Sequence, residues 1–272
     1  PDRPSRGYVT PQYHVSFDRP ALDVELARRL FDQLGPVQDV ALTLGGLGDA
    51  LAHPNWDELV TAAKEAGVLG IGIETDLLCG QAELDKLLAL PVDLVRVRLN
   101  ADTADTYRTV MGSGRFSEVT ANVRYLLERR AERADNPDRA GLPWLVPSLV
   151  KTDATLKDME AFFERWTQTF GCQPVIAPAQ SGCGLMPELS PVPMQPPRRF
   201  PCRQLGGRMS ILSDGTVALC DQDWLGRARL GDAATHRLDT LWQQIEPAVR
   251  AHQQGRYSEL SICGQCSEWH RP

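Results

Sequence analysis

The chain has 272 residues, and its 35 acidic side chains outnumber 29 basic ones, which gives a formal net charge of −6 at pH 7. This balance excludes a general electrostatic attraction to nucleic acid or to an anionic membrane, so we expect neither as a partner. The sequence contains no run of eighteen apolar residues and no signal-peptide pattern. Its odd number of cysteines, seven, suits a reducing cytoplasm better than a disulfide scaffold.

The first part of the chain predicts an irregular lead-in followed by a helix. Residues 1–20 contain prolines and have no helical period. The chain begins at Pro1 rather than Met, so we expect that some N-terminal sequence is missing. Residues 21–34 place leucines and a phenylalanine on one helical face, which predicts the first helix.

Apolar runs of strand length then alternate with helical segments. The predicted strands are residues 37–44, 68–76, 93–100, 144–151 and 173–178, and the predicted helices are residues 55–66, 82–90, 102–111, 116–130 and 155–170. This alternation predicts an α/β fold in which parallel strands form a closed or partial (β/α) barrel over residues 1–186. Residues 187–201 contain six prolines and predict a linker. Residues 202–272 would form a small cysteine-rich domain of a β-hairpin and a helix.

A glycine-rich turn follows the first predicted strand. Gly45, Gly46 and Gly48 allow backbone groups to approach a ligand closely, and Asp49 can accept a hydrogen bond from an ammonium group. A purely structural turn explains the same residues equally well. The turn lacks the Gly-Lys-Ser/Thr ending of a phosphate loop.

Arg96 and Arg98 stand two residues apart on one predicted strand, so they share a face. In a barrel they could point inward to an anionic ligand.

Four cysteines cluster in the last part of the chain. They are Cys202, Cys220, Cys263 and Cys266. Asp214-Gly215 joins two short apolar runs and predicts a hairpin that brings the first two thiols together. A helix over residues 239–252, with a kink or break at Pro247, would return the chain to deliver the last two.

Four converging thiolates indicate a metal centre, and both zinc and an iron–sulfur cluster accept such a ligand set. Seventeen residues separate Cys202 from Cys220, whereas structural zinc ribbons usually use two close pairs. Of the remaining cysteines, Cys79 fits a small buried apolar residue. Cys183 lies in a Ser-Gly-Cys-Gly loop after the fifth predicted strand, where it could contact a substrate or a cluster.

The cysteine pattern resembles the auxiliary-cluster module of radical S-adenosylmethionine (SAM) enzymes of the SPASM/Twitch group. Twelve residues separate Cys202 from Gly215, four separate Gly215 from Cys220, and a gap of forty-two precedes Cys263. The full SPASM pattern continues with a cysteine six residues after Cys266, where this chain has Pro272. Unless further thiols follow downstream, the resemblance is to the shorter Twitch form, and it implies one [4Fe–4S] cluster on these four cysteines.

The strand-end loops are similar to those that bind SAM in the same family. The glycine turn and His53-Pro54 resemble the loop that binds the amino group of SAM, although Asp49 stands where the family has Glu. The ends of the second and third predicted strands also resemble strand ends of the family, where they correspond to its third and fourth strands. The SAM-binding residues that the resemblance implies are Gly45, Gly46, Gly48, Asp49, Glu74, Asp76, Arg98 and Asn100.

The motif Cys-x-x-x-Cys-x-x-Cys, which holds the SAM-cleaving cluster of the family, does not occur in the chain. We expect it, and the second [4Fe–4S] cluster it binds, in sequence upstream of Pro1. The resemblance then implies formation of a 5′-deoxyadenosyl radical and abstraction of hydrogen from a peptide or small-molecule substrate. It also implies an electron donor such as flavodoxin or ferredoxin. The alternative is a non-catalytic degenerate member, a binding or scaffold protein with a structural four-cysteine zinc or iron–sulfur site.

Overall fold

The computed structural model describes residues 19–132, 141–192 and 194–271. Nearly all of the predicted irregular lead-in therefore lies outside the described residues. The chain divides into two compact units. The first, which we call the sheet unit, contains Leu34–Pro178. The second, the cysteine unit, contains the chain from Ala179 onward together with the segment that ends at Gln33. The domain boundaries at residues 186 and 201 stay predictions.

The sheet unit is built on five parallel strands that lie in chain order. They are β1 (Ala41–Leu44), β2 (Gly70–Thr75), β3 (Leu94–Arg98), β4 (Trp144–Lys151) and β5 (Val175–Pro178). This confirms the predicted α/β class with parallel strands. In β2 the buried residues Ile71, Ile73 and Thr75 alternate with partly exposed ones. In contrast, β4 is buried along almost its whole length, as expected for a strand covered on both faces.

Helices connect successive strands of the sheet unit. They are α2 (Trp56–Glu65), α3 (Gln81–Ala89), α4 (Ala104–Met111), α5 (Phe116–Ala131) and α6 (Met159–Glu164). The helices α2, α3 and α5 each bury several apolar residues, such as Val119, Val123 and Leu126 of α5. The predicted helix over residues 155–170 is present, but its hydrogen-bond pattern changes along its length. A 3₁₀ turn (Leu156–Asp158) precedes α6, and a π-helical turn (Arg165–Thr169) follows it.

The 3₁₀ turn at the start of this segment is hydrogen-bonded to residues at and just before the start of α4. The Asp158 carboxylate accepts hydrogen bonds from the backbone N–H groups of Asp102 (2.7 Å) and Thr103 (3.0 Å). It also accepts one from the hydroxyl of Thr106 (3.0 Å). Asp158 therefore fixes the backbone just before α4, whose N-cap is Thr103.

The cysteine unit contains a three-stranded antiparallel sheet and short helices. Its elements are β6 (Ser210–Ile211), β7 (Thr216–Ala218), β8 (Arg229–Asp232), α7 (Leu238–Gln243), α8 (Glu246–Gln253) and nearly all of α1 (Val24–Leu34). The predicted hairpin is present, with Gly215 at φ +86° and the Asp214 carboxylate accepting from Thr216 N–H. The predicted helix over residues 239–252 is broken as expected, with Pro247 in the first turn of α8.

Within the described residues, no helix is both long and apolar enough to cross a bilayer.

Candidate cofactor sites

The first candidate site lies at the carboxyl ends of β1, β2 and β3. Because these strands are parallel neighbours, their carboxyl ends meet at one edge of the sheet, where α/β proteins bind ligands. The glycine turn follows β1, Asp76 follows β2, and Arg98 ends β3. The structure brings these predicted residues together.

Arg98 is the centre of this arrangement. Its Nε donates to Asp76 Oδ1 at 3.0 Å, its Nη1 to Gly46 O at 2.7 Å and its Nη2 to Gly48 O at 2.9 Å. The side chains of Arg98 and Asp76 are 3% and 2% exposed, so this ion pair is buried. A buried charge needs such compensation because removal from water is costly. Arg98 therefore fixes the shape of the glycine turn.

Asp49 has a structural role in the same turn. Its Oδ1 accepts from Leu51 N–H at 2.9 Å and caps the 3₁₀ turn Ala50–Ala52. Its Oδ2 accepts from Asp76 N–H at 3.0 Å. Each carboxylate oxygen has two lone pairs, so one acceptor position on each remains for a ligand.

The remaining predicted residues lie around this network. The Glu74 Oε1 atom pairs with Arg96 Nη1 at 3.1 Å, and a Cβ added to Gly45 would lie only 2.6 Å from Glu74 Cβ. Position 45 therefore requires glycine. Asn100 is buried at φ +56°, and its Oδ1 accepts from Val150 N–H at 2.9 Å. Asparagine tolerates this left-handed conformation better than most residues.

Tyr107 is a further residue of this region, and we did not predict it. It lies on α4, is fully buried, and its hydroxyl has no hydrogen-bond partner among the described residues. Burial, and then the negative charge of Asp76, raise the pKa of Tyr107. Because a buried hydroxyl usually has a partner, this one is suited to bind a polar atom of a ligand.

The second candidate site is a small cavity in the cysteine unit. The four predicted thiols line it, and Cys183 lines it as a fifth. Its lining residues are Cys183, Cys202, Cys220, Cys263, Cys266, Arg199, Gln204, Leu205, Gln222, His252, Ile262, Glu268 and Trp269. The predicted convergence of Cys202, Cys220, Cys263 and Cys266 is therefore present.

Hydrogen bonds from neighbouring side chains fix the loops that carry these thiols. Arg199 Nη2 donates to the carbonyl of Cys263 at 2.7 Å, and its guanidinium stacks 4.2 Å from the centre of the Tyr257 ring. His252 Nδ1 accepts from the backbone N–H of Cys202 at 3.1 Å. Burial lowers the pKa of His252 to about 4, which keeps the imidazole neutral and able to accept this bond.

The thiols differ in their electrostatic surroundings. The pKa of Cys266 is lowered to about 7, first by a hydrogen bond from Cys183 and, against the opposing effect of burial, by one from Glu268 N–H. Burial raises the pKa of Cys263 to about 12, and burial also raises that of Cys202. Hydrogen bonds with Cys220 and Cys266, together with burial, raise the pKa of Cys183. Cys266 is thus the thiol most ready to lose its proton.

The donor set fits a cluster of several metal ions better than a single ion. In the part of the chain that the structure describes, no three His, Cys, Asp or Glu side chains are arranged to hold one metal ion. Five thiols nevertheless face one cavity. Thiolates bind the separate irons of an iron–sulfur cluster and so need not converge on a point.

The other two cysteines, Cys79 and Cys172, belong to the sheet unit. Cys172 is buried, and burial raises its pKa. Cys79 is partly buried, and burial followed by the charge of Asp49 raises its pKa to about 12.

Comparison with known families assigns the cysteine-rich segment. Residues 202–267 match the family model of SPASM, an iron–sulfur cluster-binding domain. A curated protein of Treponema pallidum (strain Nichols), described as an uncharacterized protein, is 25% identical over 241 residues, which are 84% of this chain and 64% of that protein. This chain therefore spans less than two thirds of that relative.

Several solved structures share the fold. BtrN in complex with AdoMet and 2-DOIA matches with a TM-score of 0.61 and 12% identity, over 97% of this chain and 89% of BtrN. Streptococcus suis SuiB bound to precursor peptide SuiA matches with a TM-score of 0.67 and 12% identity, over 97% of this chain and 70% of SuiB. Native anSMEcpe with bound AdoMet and Kp18Cys peptide matches with a TM-score of 0.64 and 11% identity, over 98% of this chain and 86% of anSMEcpe. At these identities the similarity shows the fold.

Proposed function

We propose that this chain, which has the fold of the radical SAM enzymes and carries a SPASM iron–sulfur domain, takes part in SAM-dependent hydrogen abstraction. The observation that carries the proposal is that the four cysteines of the matched segment line one cavity. Cys202, Cys220, Cys263 and Cys266 would hold an auxiliary [4Fe–4S] cluster. When bound and reduced by one electron from a SAM-cleaving [4Fe–4S] cluster, SAM would supply methionine and a 5′-deoxyadenosyl radical, and the auxiliary cluster would supply a site for an electron.

The sheet edge would hold SAM. Arg98 fixes the glycine turn through two carbonyl oxygens, which leaves the turn in one shape before a ligand arrives. Asp49 would accept from the ammonium group of SAM with the lone pairs that its two backbone bonds leave. The unpaired hydroxyl of Tyr107 would donate to a polar atom of the ligand.

The substrate would be a peptide or a small molecule. SuiB and anSMEcpe were solved with peptides, and BtrN with 2-DOIA. An electron donor such as flavodoxin or ferredoxin would serve the reaction, and the chemistry would be that of an oxidoreductase or maturase. The auxiliary cluster would take up the electron left after hydrogen abstraction.

The activity is tested by anaerobic reconstitution of the full-length natural protein with iron and sulfide. With SAM and a reductant, we expect 5′-deoxyadenosine and methionine in equal amounts. Protein with a complete iron content that forms no 5′-deoxyadenosine would contradict the proposal and favour a binding or scaffold protein. A single bound zinc in place of about four irons would contradict the proposed cluster.

The SAM site is tested separately by binding. We expect Asp49→Ala to weaken SAM binding measured by calorimetry by about tenfold, the effect of one lost charge-assisted hydrogen bond. Asp153→Asn, at an exposed position outside the glycine turn, is the control. Equal affinities of the two variants would show that Asp49 serves only the turn.

A further inference from the structure

We propose that Cys183 is a reserve ligand of the auxiliary cluster, able to take the iron position of Cys220 or Cys266. This inference rests on the proposed cluster and adds a fifth thiol that the matched segment, residues 202–267, does not contain. Cys183 lies 19 residues before that segment begins and lines the same cavity.

The position of the Cys183 thiol is specific. It lies beside the thiols of Cys220 and Cys266, close enough for hydrogen bonds between the sulfur atoms. No such bond links it to Cys202, whose thiol instead accepts from the backbone N–H groups of Gln204 and Leu205. Cys183 can therefore reach the iron positions of two of the four ligands but not that of Cys202.

The backbone that carries Cys183 has an unusual conformation. Cys183 has φ +54°, a left-handed value that is strained for a non-glycine residue. Its neighbours Gly182 and Gly184, at φ +58° and +84°, are left-handed as well. A strained cysteine between two glycines indicates that the direction of its side chain matters.

Contacts on the outside of this loop fix its position. Arg227 Nη2 donates to the carbonyls of Gly182 (3.2 Å) and Cys183 (2.9 Å). A Cβ added to Gly182 would lie 2.5 Å from Cε3 of Trp224. The loop is therefore pressed against a buried tryptophan on one side and presents Cys183 to the cavity on the other.

The exchange needs no change of oxidation state. When Cys266 is absent, the Cys183 thiol gives its proton to water, and its sulfur bonds to the iron that Cys266 would have held. One iron–sulfur bond takes the place of another, and the number of thiolate ligands stays at four. The same exchange applies at the iron of Cys220.

The experiment measures iron and sulfide per chain and the Mössbauer spectrum of reconstituted protein. We expect Cys183→Ala, Cys220→Ala and Cys266→Ala each to keep the iron content of the wild type, since four thiols remain within reach of the auxiliary cluster. We expect Cys202→Ala to lose iron, because Cys183 does not reach that position. The double variant Cys183→Ala/Cys266→Ala should lose iron as Cys202→Ala does.

A matched control keeps the number of removed thiols equal. Cys172→Ala/Cys266→Ala also lacks two thiols, but Cys172 lies in the sheet unit, so this variant should keep its cluster. Loss of iron from Cys266→Ala equal to the loss from Cys183→Ala/Cys266→Ala would overturn the proposal. Loss of iron from Cys183→Ala alone would also overturn it, since Cys183 would then be an obligatory ligand.

Two readouts separate this inference from the cluster assignment. If the wild-type protein bound no iron, the proposed cluster itself would fail. If the wild type bound iron but Cys266→Ala lost it, the cluster assignment would hold and Cys183 would not be a reserve ligand. Circular dichroism of each variant distinguishes the loss of a ligand from the loss of the fold.

Discussion

The two units hold their candidate sites in different ways. In the sheet unit, Arg98 and Asp76 are fixed by direct bonds between protein groups on three neighbouring strands. In the cysteine unit, five thiols surround a cavity and the strands are two to four residues long. The first site is organised by the chain alone, whereas we expect the second to gain much of its stability from the bound cluster.

The largest difference should appear when iron is removed. After chelation, we expect amide exchange in β6, β7 and β8 to become faster by about two orders of magnitude, because binding free energy is also folding free energy for small metal domains. Exchange in β2, β3 and β4 should change little. Hydrogen–deuterium exchange with mass spectrometry measures both units in one sample, and equal protection of β6–β8 with and without iron would contradict the comparison.

The next largest effect should come from the buried ion pair of the sheet unit. Arg98→Met leaves Asp76 without its partner, and we expect the free energy of unfolding to fall by about 3–5 kcal/mol. Arg96→Met is the matched control on the same strand. Its partner Glu74 is paired at a more exposed position, with Arg96 38% exposed, so the loss there should be at most about 1 kcal/mol. Urea denaturation measures both, and similar losses would show that Arg98 does not organise the glycine turn.

A smaller effect is expected at Asp158, which accepts hydrogen bonds from the backbone just before α4. Asp158→Asn keeps the size of the side chain but removes its charge and one of its acceptor atoms, so we expect a loss of about 1–3 kcal/mol. Asp153→Asn, at an exposed position, provides the baseline. The same urea measurement applies, and a change within the error of that baseline would mean that the turn before α6 is held by its apolar contacts.

The smallest effect should come from the surface of the cysteine unit. Arg250 and Glu246 form an exposed ion pair one turn apart on α8. We expect Arg250→Ala to change the free energy of unfolding by no more than about 0.5 kcal/mol. A larger loss, measured on the iron-loaded protein, would show that surface charges contribute to this unit alongside the cluster.

The parallel sheet could be predicted because its strands are apolar runs bounded by glycine and proline. β8 was missed, since Arg229–Asp232 is short and mostly polar. The apolar period predicted the helical segment over residues 155–170, but it did not reveal the 3₁₀ and π-helical turns or the bonds of Asp158 to the backbone of residues 102 and 103. Local patterns do not report bonds of this kind between distant segments.

The candidate sites show the same division. The spacing of four cysteines predicted their convergence, because hairpin and helix bring them together along the chain. The glycines beside Cys183 signalled an unusual loop, but its place in the cavity depends on contacts with Arg227 and Trp224, more than forty residues away. The sequence did not indicate Tyr107, because the lack of a hydrogen-bond partner for its hydroxyl can be recognised only from the three-dimensional surroundings. The assignment of the strand-end residues to SAM stays a prediction.

The hydrogen bonds that Arg98 donates to the glycine turn also affect the N–H groups on the opposite side of that turn. A peptide group is planar, and in its trans form the N–H points away from the C=O. By holding the oxygens of Gly46 and Gly48, Arg98 therefore also sets the direction of the N–H groups of Leu47 and Asp49. The orientation of two donors is thus determined by a residue on another strand, so a change in β3 would reorient them without altering the turn sequence.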